Sequence, residues 1–133
     1  MASVVISGKR KRSIARATIK EGKGIVTINK RPYELLPTLH RLMIEEPLKI
    51  AKEKLGKIDF DIFVKVIGGG RESQIEACRL AIARALVKAT KSNELKKEFL
   101  AYDRNMLIAD TRRKEPYKPG DSKARAKMQK SYR

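Results

Sequence analysis

The chain has 133 residues and a mass of 15.1 kDa, one domain's worth, and its 32 Lys and Arg against 15 Asp and Glu leave a net charge of +17. That excess exceeds what solubility requires and repels itself unless something anionic compensates it, while a hydrophobic fraction of 41% excludes a merely disordered basic tail. One Cys excludes a disulfide framework and a zinc finger, one His leaves little for metal or triad chemistry, 5% aromatics without Trp argue against a stacking platform for single strands, and no apolar run reaches membrane-spanning length.

In chain order, Val4, Val5 and Ile6 read as a short strand, and their charges follow rather than precede the apolar stretch, the reverse of a secretory leader. A cytoplasmic protein is expected. The basic run Lys9-Arg10-Lys11-Arg12 then leads, as a loop, into a second strand near 13–20, with Ala15, Ala17 and Ile19 on one face and Arg16, Thr18 and Lys20 on the other. Glu21-Gly22-Lys23-Gly24 has turn chemistry, and Ile25–Asn29 predicts a third strand that completes a meander. Pro32, Pro37 and Pro47 punctuate the next segment, which predicts short helices, with Pro47 in the first turn before Leu48, Ala51 and Leu55. Ile58, Phe60, Ile62, Val64 and Val66 give the clearest period-two strand, and Gly68-Gly69-Gly70 ends it. A long helix over 73–90 follows, with Ser73 and Glu76 at capping-box spacing and a stripe of Ile75, Cys78, Ile82, Leu86 and Ala89. Ser92 can cap one more helix carrying Leu95 and Phe99.

Beyond Ala101 the periodicity fails. Residues 112–133 hold 9 basic and 2 acidic residues with almost no large apolar side chain, so they cannot bury enough surface to fold alone. Fully extended, such a segment spans roughly 70–80 Å. The expected organisation is a globular domain over 1–101 and an extended basic tail over 102–133. The globule is expected to be an α/β (α+β) two-layer sandwich in the order β-β-β-α-β-α.

The charge follows the same division. Residues 1–31 carry +8, residues 32–101 only +3, and residues 102–133 carry +6, so two basic elements flank a nearly balanced core. Arg16 and Lys20 extend the Lys9–Arg12 run down one strand face, which phosphate contacts explain better than a solvated loop does. At the strand–glycine–helix junction, Gly68, Gly70 and Ser73 mimic a dinucleotide fingerprint. The chain is too short for a doubly wound domain, however, and no Gly-Lys-Ser/Thr follows. Two readings stay open there: glycines that permit a sharp turn and close packing, or exposed helix amides that hold an RNA phosphate beside Arg71. Cys78 lies on the apolar stripe and reads as a core residue, His40 has no metal-binding companion and reads as structural, and Asp59 and Asp61 read as surface or ion-pair residues. No catalytic set, metal site or cofactor site can be assembled.

The run Gly68-Gly69-Gly70-Arg71-Glu72-Ser73-Gln74-Ile75-Glu76-Ala77, continuing through Ala81, Ala83, Arg84, Ala85 and Leu86, closely resembles the signature of the ninth small-subunit ribosomal protein family. The segments Gly8–Arg16 and Gln129-Lys130-Ser131-Tyr132-Arg133 match it too, and the Ser-Tyr-Arg ending resembles the archaeal and eukaryotic branch. The resemblance implies a fold like the second domain of the fifth small-subunit protein, with a left-handed crossover against the general rule. It implies a non-enzymatic, cofactor-free constituent of the cytoplasmic ribosome that binds 16S rRNA in the subunit head beside neighbouring head proteins, with no membrane and no small-molecule substrate. The expected rRNA contacts are Lys9, Arg10, Lys11, Arg12, Arg16, Gly68, Gly69, Gly70, Arg71, Arg112, Arg113, Lys114, Lys118, Lys123, Arg125 and Lys127. The tail end is expected at the anticodon stem-loop of P-site tRNA through Lys130, Ser131, Tyr132 and Arg133. Tyr132 replaces a bacterial lysine, which favours stacking or a hydroxyl contact there.

Two other classes fit the composition: a chromatin-like architectural protein with a basic arm, and a small nucleotide-dependent protein built on the glycine junction. Preference for duplex DNA over structured rRNA marks the first, and micromolar nucleotide binding the second.

Overall fold

The computed structural model describes residues 3–132. Strands β1 (Val4–Arg10) and β2 (Ser13–Glu21) form an antiparallel hairpin, followed by β3 (Val26–Ile28), the two-residue β4 (Arg31–Pro32), helix α1 (Thr38–Leu55), β5 (Phe60–Ile67), α2 (Arg71–Thr90) and α3 (Asn93–Tyr102). Together they make a mixed sheet and three helices, as the α+β expectation requires.

The sheet order is β1-β2-β5-β3-β4, so the first three strands are not a meander. β5 enters between β2 and β3, antiparallel to the first and parallel to the second. Its apolar alternation explains the position: Ile62, Val64 and Val66 are all buried, and a strand with that much apolar surface gains most at the centre of the sheet. Alternation along β2 sends Ser13, Ala15, Ala17 and Ile19 to the same face. The helices cover that face, α2 packing on β1, β2 and β5 while α1 and α3 pack on α2 and on each other. The opposite face of the sheet is open.

The segment read as short helices is one helix of 18 residues with Pro47 inside it. Proline forfeits one backbone hydrogen bond, but here Pro47 is buried in a continuous stripe with Ile44, Leu48 and Ala51, and that packing carries the helix through. Helix α2 starts at Arg71 with Gly70 as its N-cap, rather than at Ser73. Ser73 is the third helical residue, its Oγ accepting the Gly70 N–H at 3.1 Å, and Glu76 is engaged with Arg10 instead of closing a capping box. Ser92 caps α3 as expected, its Oγ accepting the Leu95 N–H at 3.3 Å.

Side chains beyond residue 101 complete the core. Met106 is fully buried, and Arg84 of α2 donates to the carbonyls of Leu107 (2.8 Å) and Ser7 (3.0 Å), tying the post-α3 segment and β1 to one helix. Arg79 bridges Glu46 of α1 (2.6 Å) and Asp103 (2.9 Å), so one guanidinium joins all three helical segments. His40 meets Glu72 at 2.7 Å and links the start of α1 to that of α2, the structural role expected of it. Cys78 is fully buried, and that burial pushes its thiol up to about 12. The folded protein should therefore not react with a thiol-specific chromophoric reagent at pH 8, and reaction should appear only on denaturation. Stoichiometric labelling of the folded chain would contradict a core role.

Candidate nucleic-acid interface

The basic residues divide by what they touch. Lys9 and Arg10 belong to β1, so the loop is only the two-residue turn Lys11-Arg12, with Lys11 at φ 51°. Strand parity turns Arg10 inward. Its guanidinium pairs through Nε with Glu76 and through Nη1 with Asp110 at 3.2 Å, and only 15% of its side chain is exposed. Arg10 therefore holds the protein together, whereas Lys11 and Arg12 stand free of such partners and exposed.

Asp110 is the residue that sequence reasoning missed. It accepts from the Arg112 amide at 2.9 Å and from the Arg112 guanidinium at 2.7 Å, while also facing Arg10. The chain beyond α3 is thus fastened to the hairpin, and Arg112, Arg113 and Lys114 are delivered beside the turn. The one available signal was a lone carboxylate opening a basic run.

The glycine junction completes the arrangement. Gly68 and Gly69 have φ of 76° and 64°, and a Cβ on Gly69 would overlap the hydroxyls of Ser13 and Ser73. That contact is part of a buried network, in which Ser13 Oγ donates to the Gly68 carbonyl at 2.9 Å and lies 2.8 Å from Ser73 Oγ. The tight-turn reading therefore holds for these two glycines. Gly70 differs, for a Cβ there would meet open space. It lines a cleft with Lys11, Arg12, Gly69, Arg113 and Lys114, so three segments distant in sequence converge on one cationic surface at the start of α2. Among the described residues, none of Lys11, Arg12, Arg113 and Lys114 has a carboxylate partner. Arg71 is exposed beside the cleft without lining it.

The other expected sites lie elsewhere. Arg16 is exposed on the open face of β2. Past residue 106 the described chain has no helix or strand, and its cations pair locally: Lys118 and Arg125 with Glu115 at 3.6 and 2.7 Å, and Lys127 with Asp121 at 3.6 Å. Lys123, Lys130, Ser131 and Tyr132 are exposed, and Arg133 lies outside the described residues. Asp61 caps the turn after β2, accepting the amides of Lys23 and Ile25 at 2.9 Å each, instead of forming an ion pair.

Two carboxylates give the fold an acid limit. The Arg112 hydrogen bond holds Asp110 well below the usual carboxylate range, and the Ile25 amide lowers Asp61 in the same direction. A group with a depressed folded pKa stabilises above its unfolded value of about 4 and loses that contribution as pH falls through the folded value. Acid titration followed by circular dichroism should therefore show stability falling below about pH 4. Asp110→Asn should flatten the fall, and an unchanged acid limb would contradict the role of Asp110.

The sequence pattern of the family described as ribosomal protein S9/S16 matches residues 8–133. The small ribosomal subunit protein uS9 of Thermoplasma volcanium is 51% identical over 131 residues, which cover 98% of this chain and 98% of that protein. The protein of the same description from Methanococcus maripaludis strain C7 is 51% identical over 129 residues, 95% of each chain.

Proposed function

Because the chain belongs to the ribosomal protein S9/S16 family, we propose that it is a structural constituent of the small ribosomal subunit in the cytoplasm, and that its cationic cleft holds the backbone of the subunit's rRNA. Its role is binding rather than catalysis. The observation that carries the cleft assignment is the convergence of Lys11, Arg12, Gly70, Arg113 and Lys114 on one surface, with none of the four cations neutralised from within the described residues. Arginine offers a planar fork to phosphate oxygens and lysine a point charge, and both gain from the counterions that RNA releases.

The finer reading follows the family resemblance. The globule sits on 16S rRNA of the subunit head among neighbouring head proteins, with the left-handed crossover and the overall fold of the second domain of the fifth small-subunit protein. Within 102–133, the residues beyond the packed segment that ends at Asp110 act as a basic tail that becomes ordered on RNA, with Lys118, Arg125 and Lys127 exchanging their local carboxylates for phosphate and the exposed Lys123 adding another cation. Lys130, Ser131, Tyr132 and Arg133 approach the anticodon stem-loop of P-site tRNA. Among the described residues, the lack of helix or strand past residue 106 and the exposure of the tail's cations support this reading. Deleting residues 130–133 should leave sedimentation with small subunits intact while weakening P-site tRNA retention in filter binding. Loss of incorporation would show instead that the tail end serves assembly.

A further inference from the structure

The open face of the sheet holds an arrangement that the cleft does not use. Arg16 of β2 and Lys65 of β5 are direct cross-strand partners, both exposed, on the face away from the helices. Like charges directly opposite one another destabilise a sheet. Among the described residues neither has a carboxylate partner, and Asp61, the nearby acid of β5, is taken up by the amides of Lys23 and Ile25. Two residues along the strands, Phe63 stands opposite Thr18, with Thr27 of β3 on its other side. Phe63 is 43% exposed although β5 is the central strand, and Val5 and Ile67 are exposed as well. Val5, Arg16, Thr18, Thr27, Phe63 and Lys65 line one shallow groove.

From this juxtaposition we propose that the open sheet face is a second RNA-binding surface, on which Phe63 stacks an unpaired nucleobase while Arg16 and Lys65 hold the adjoining phosphates. The inference rests on the reading of the protein as rRNA-binding. Two observations select the occupant. The unneutralised Arg16–Lys65 pair calls for an anion, and a flat aromatic beside it, flanked by the small side chains of Thr18 and Thr27, leaves room for a planar ring. A protein partner with an apolar face would satisfy Phe63 and leave the two cations repelling each other. RNA satisfies both. The pairs Arg16–Lys65 and Thr18–Phe63 lie two residues apart along the strands, about 7 Å, which matches the spacing between a nucleotide's base and a neighbouring phosphate. The scarcity of aromatics therefore excludes a platform of several rings, whereas a single ring at the sheet centre needs only one.

The test uses the full-length protein with protein-free small-subunit rRNA and, separately, an eight-residue oligouridine. Phe63→Leu keeps the exposed apolar volume and removes the ring. Affinity for oligouridine should fall about 5- to 100-fold, with Phe63→Tyr restoring it and thermal stability unchanged. Arg16→Ala with Lys65→Ala should weaken binding and raise thermal stability in the absence of RNA, because a repulsion is removed. Wild-type affinity of Phe63→Leu for both RNAs, with Lys11→Ala/Arg12→Ala impaired for rRNA, would overturn the sheet-face site and leave the cleft standing. Retention of rRNA affinity by every variant would overturn both assigned surfaces, and failure of the wild-type protein to bind rRNA would overturn the RNA-binding reading itself. Loss of a neighbouring protein from assembled particles, without loss of RNA affinity, would assign the face to protein and overturn the proposal.

Discussion

Replacing Lys11, Arg12, Arg113 and Lys114 by alanine together should lower affinity for small-subunit rRNA by about one to two orders of magnitude at moderate salt and reduce the slope of log affinity against log salt by about 3. The slope is the more diagnostic quantity, because each phosphate-bound cation releases roughly 0.7–0.9 of a counterion. The four residues are chosen because they line the cleft and have no carboxylate partners within the described chain. Their loss should leave the unfolding midpoint unchanged or slightly raised. Arg10 makes the opposite control. It is bound to Glu76 and Asp110, so Arg10→Ala should lower stability, leave Glu76 without its cation and Asp110 with Arg112 alone, and loosen the attachment of Arg112–Lys114. A quadruple variant that binds rRNA with unaltered salt dependence would remove the cleft from the interface.

Substituting Gly8 should have the largest effect on the fold. A Cβ at this position would lie 2.5 Å from the Ala77 carbonyl oxygen and 2.8 Å from the Ala81 amide nitrogen. Both are backbone atoms of α2, so no side-chain rotation relieves the contact. β1 lies this close to the helix because Gly8 faces the small residues Ala77 and Ala81, and Arg84 one turn further on donates to the Ser7 carbonyl across the same contact. Gly8→Ala should cost about 2–3 kcal/mol, and Gly8→Val more, as overpacking against a backbone that must shift. For a domain of this size that corresponds to a fall in Tm of about 10 °C for the alanine variant. Chemical denaturation of the two variants checks this, and a loss under about 0.5 kcal/mol for Gly8→Ala would mean that the strand is not seated on the helix.

The elements that repeat locally were legible in the sequence. Val64 and its period-two neighbours give β5, the stripe from Ile75 to Leu86 gives α2, and Ser92 marks the start of α3. What local pattern cannot carry is pairing between distant segments. Nothing in Ile25–Asn29 says that β5 will lie between it and β2, because the parallel partner is more than thirty residues away and the intervening helix determines how the chain returns. Pro47 misleads for a similar reason, since its cost is local and its compensation is tertiary. The functional surface was half visible. Composition located the basic ends, and the glycine run was recognisable as special. Arg10, however, looks identical to Lys11 in a run of four cations, and only strand parity and two distant carboxylates turn it inward. Asp110 is legible only as an exception in a basic stretch, although its bonds bring that stretch to the hairpin.

A grip of residues 11–12, the glycine junction and residues 112–114 on one stretch of RNA backbone is tested by crosslinking of assembled small subunits with mass-spectrometric identification of the joined peptides and nucleotides. Crosslinks from the turn Lys11-Arg12, from the Gly69–Arg71 segment and from Arg113-Lys114 should all fall within the same short run of rRNA. Crosslinks from these three segments to widely separated RNA regions, or a cleft free of RNA in intact particles, would contradict it.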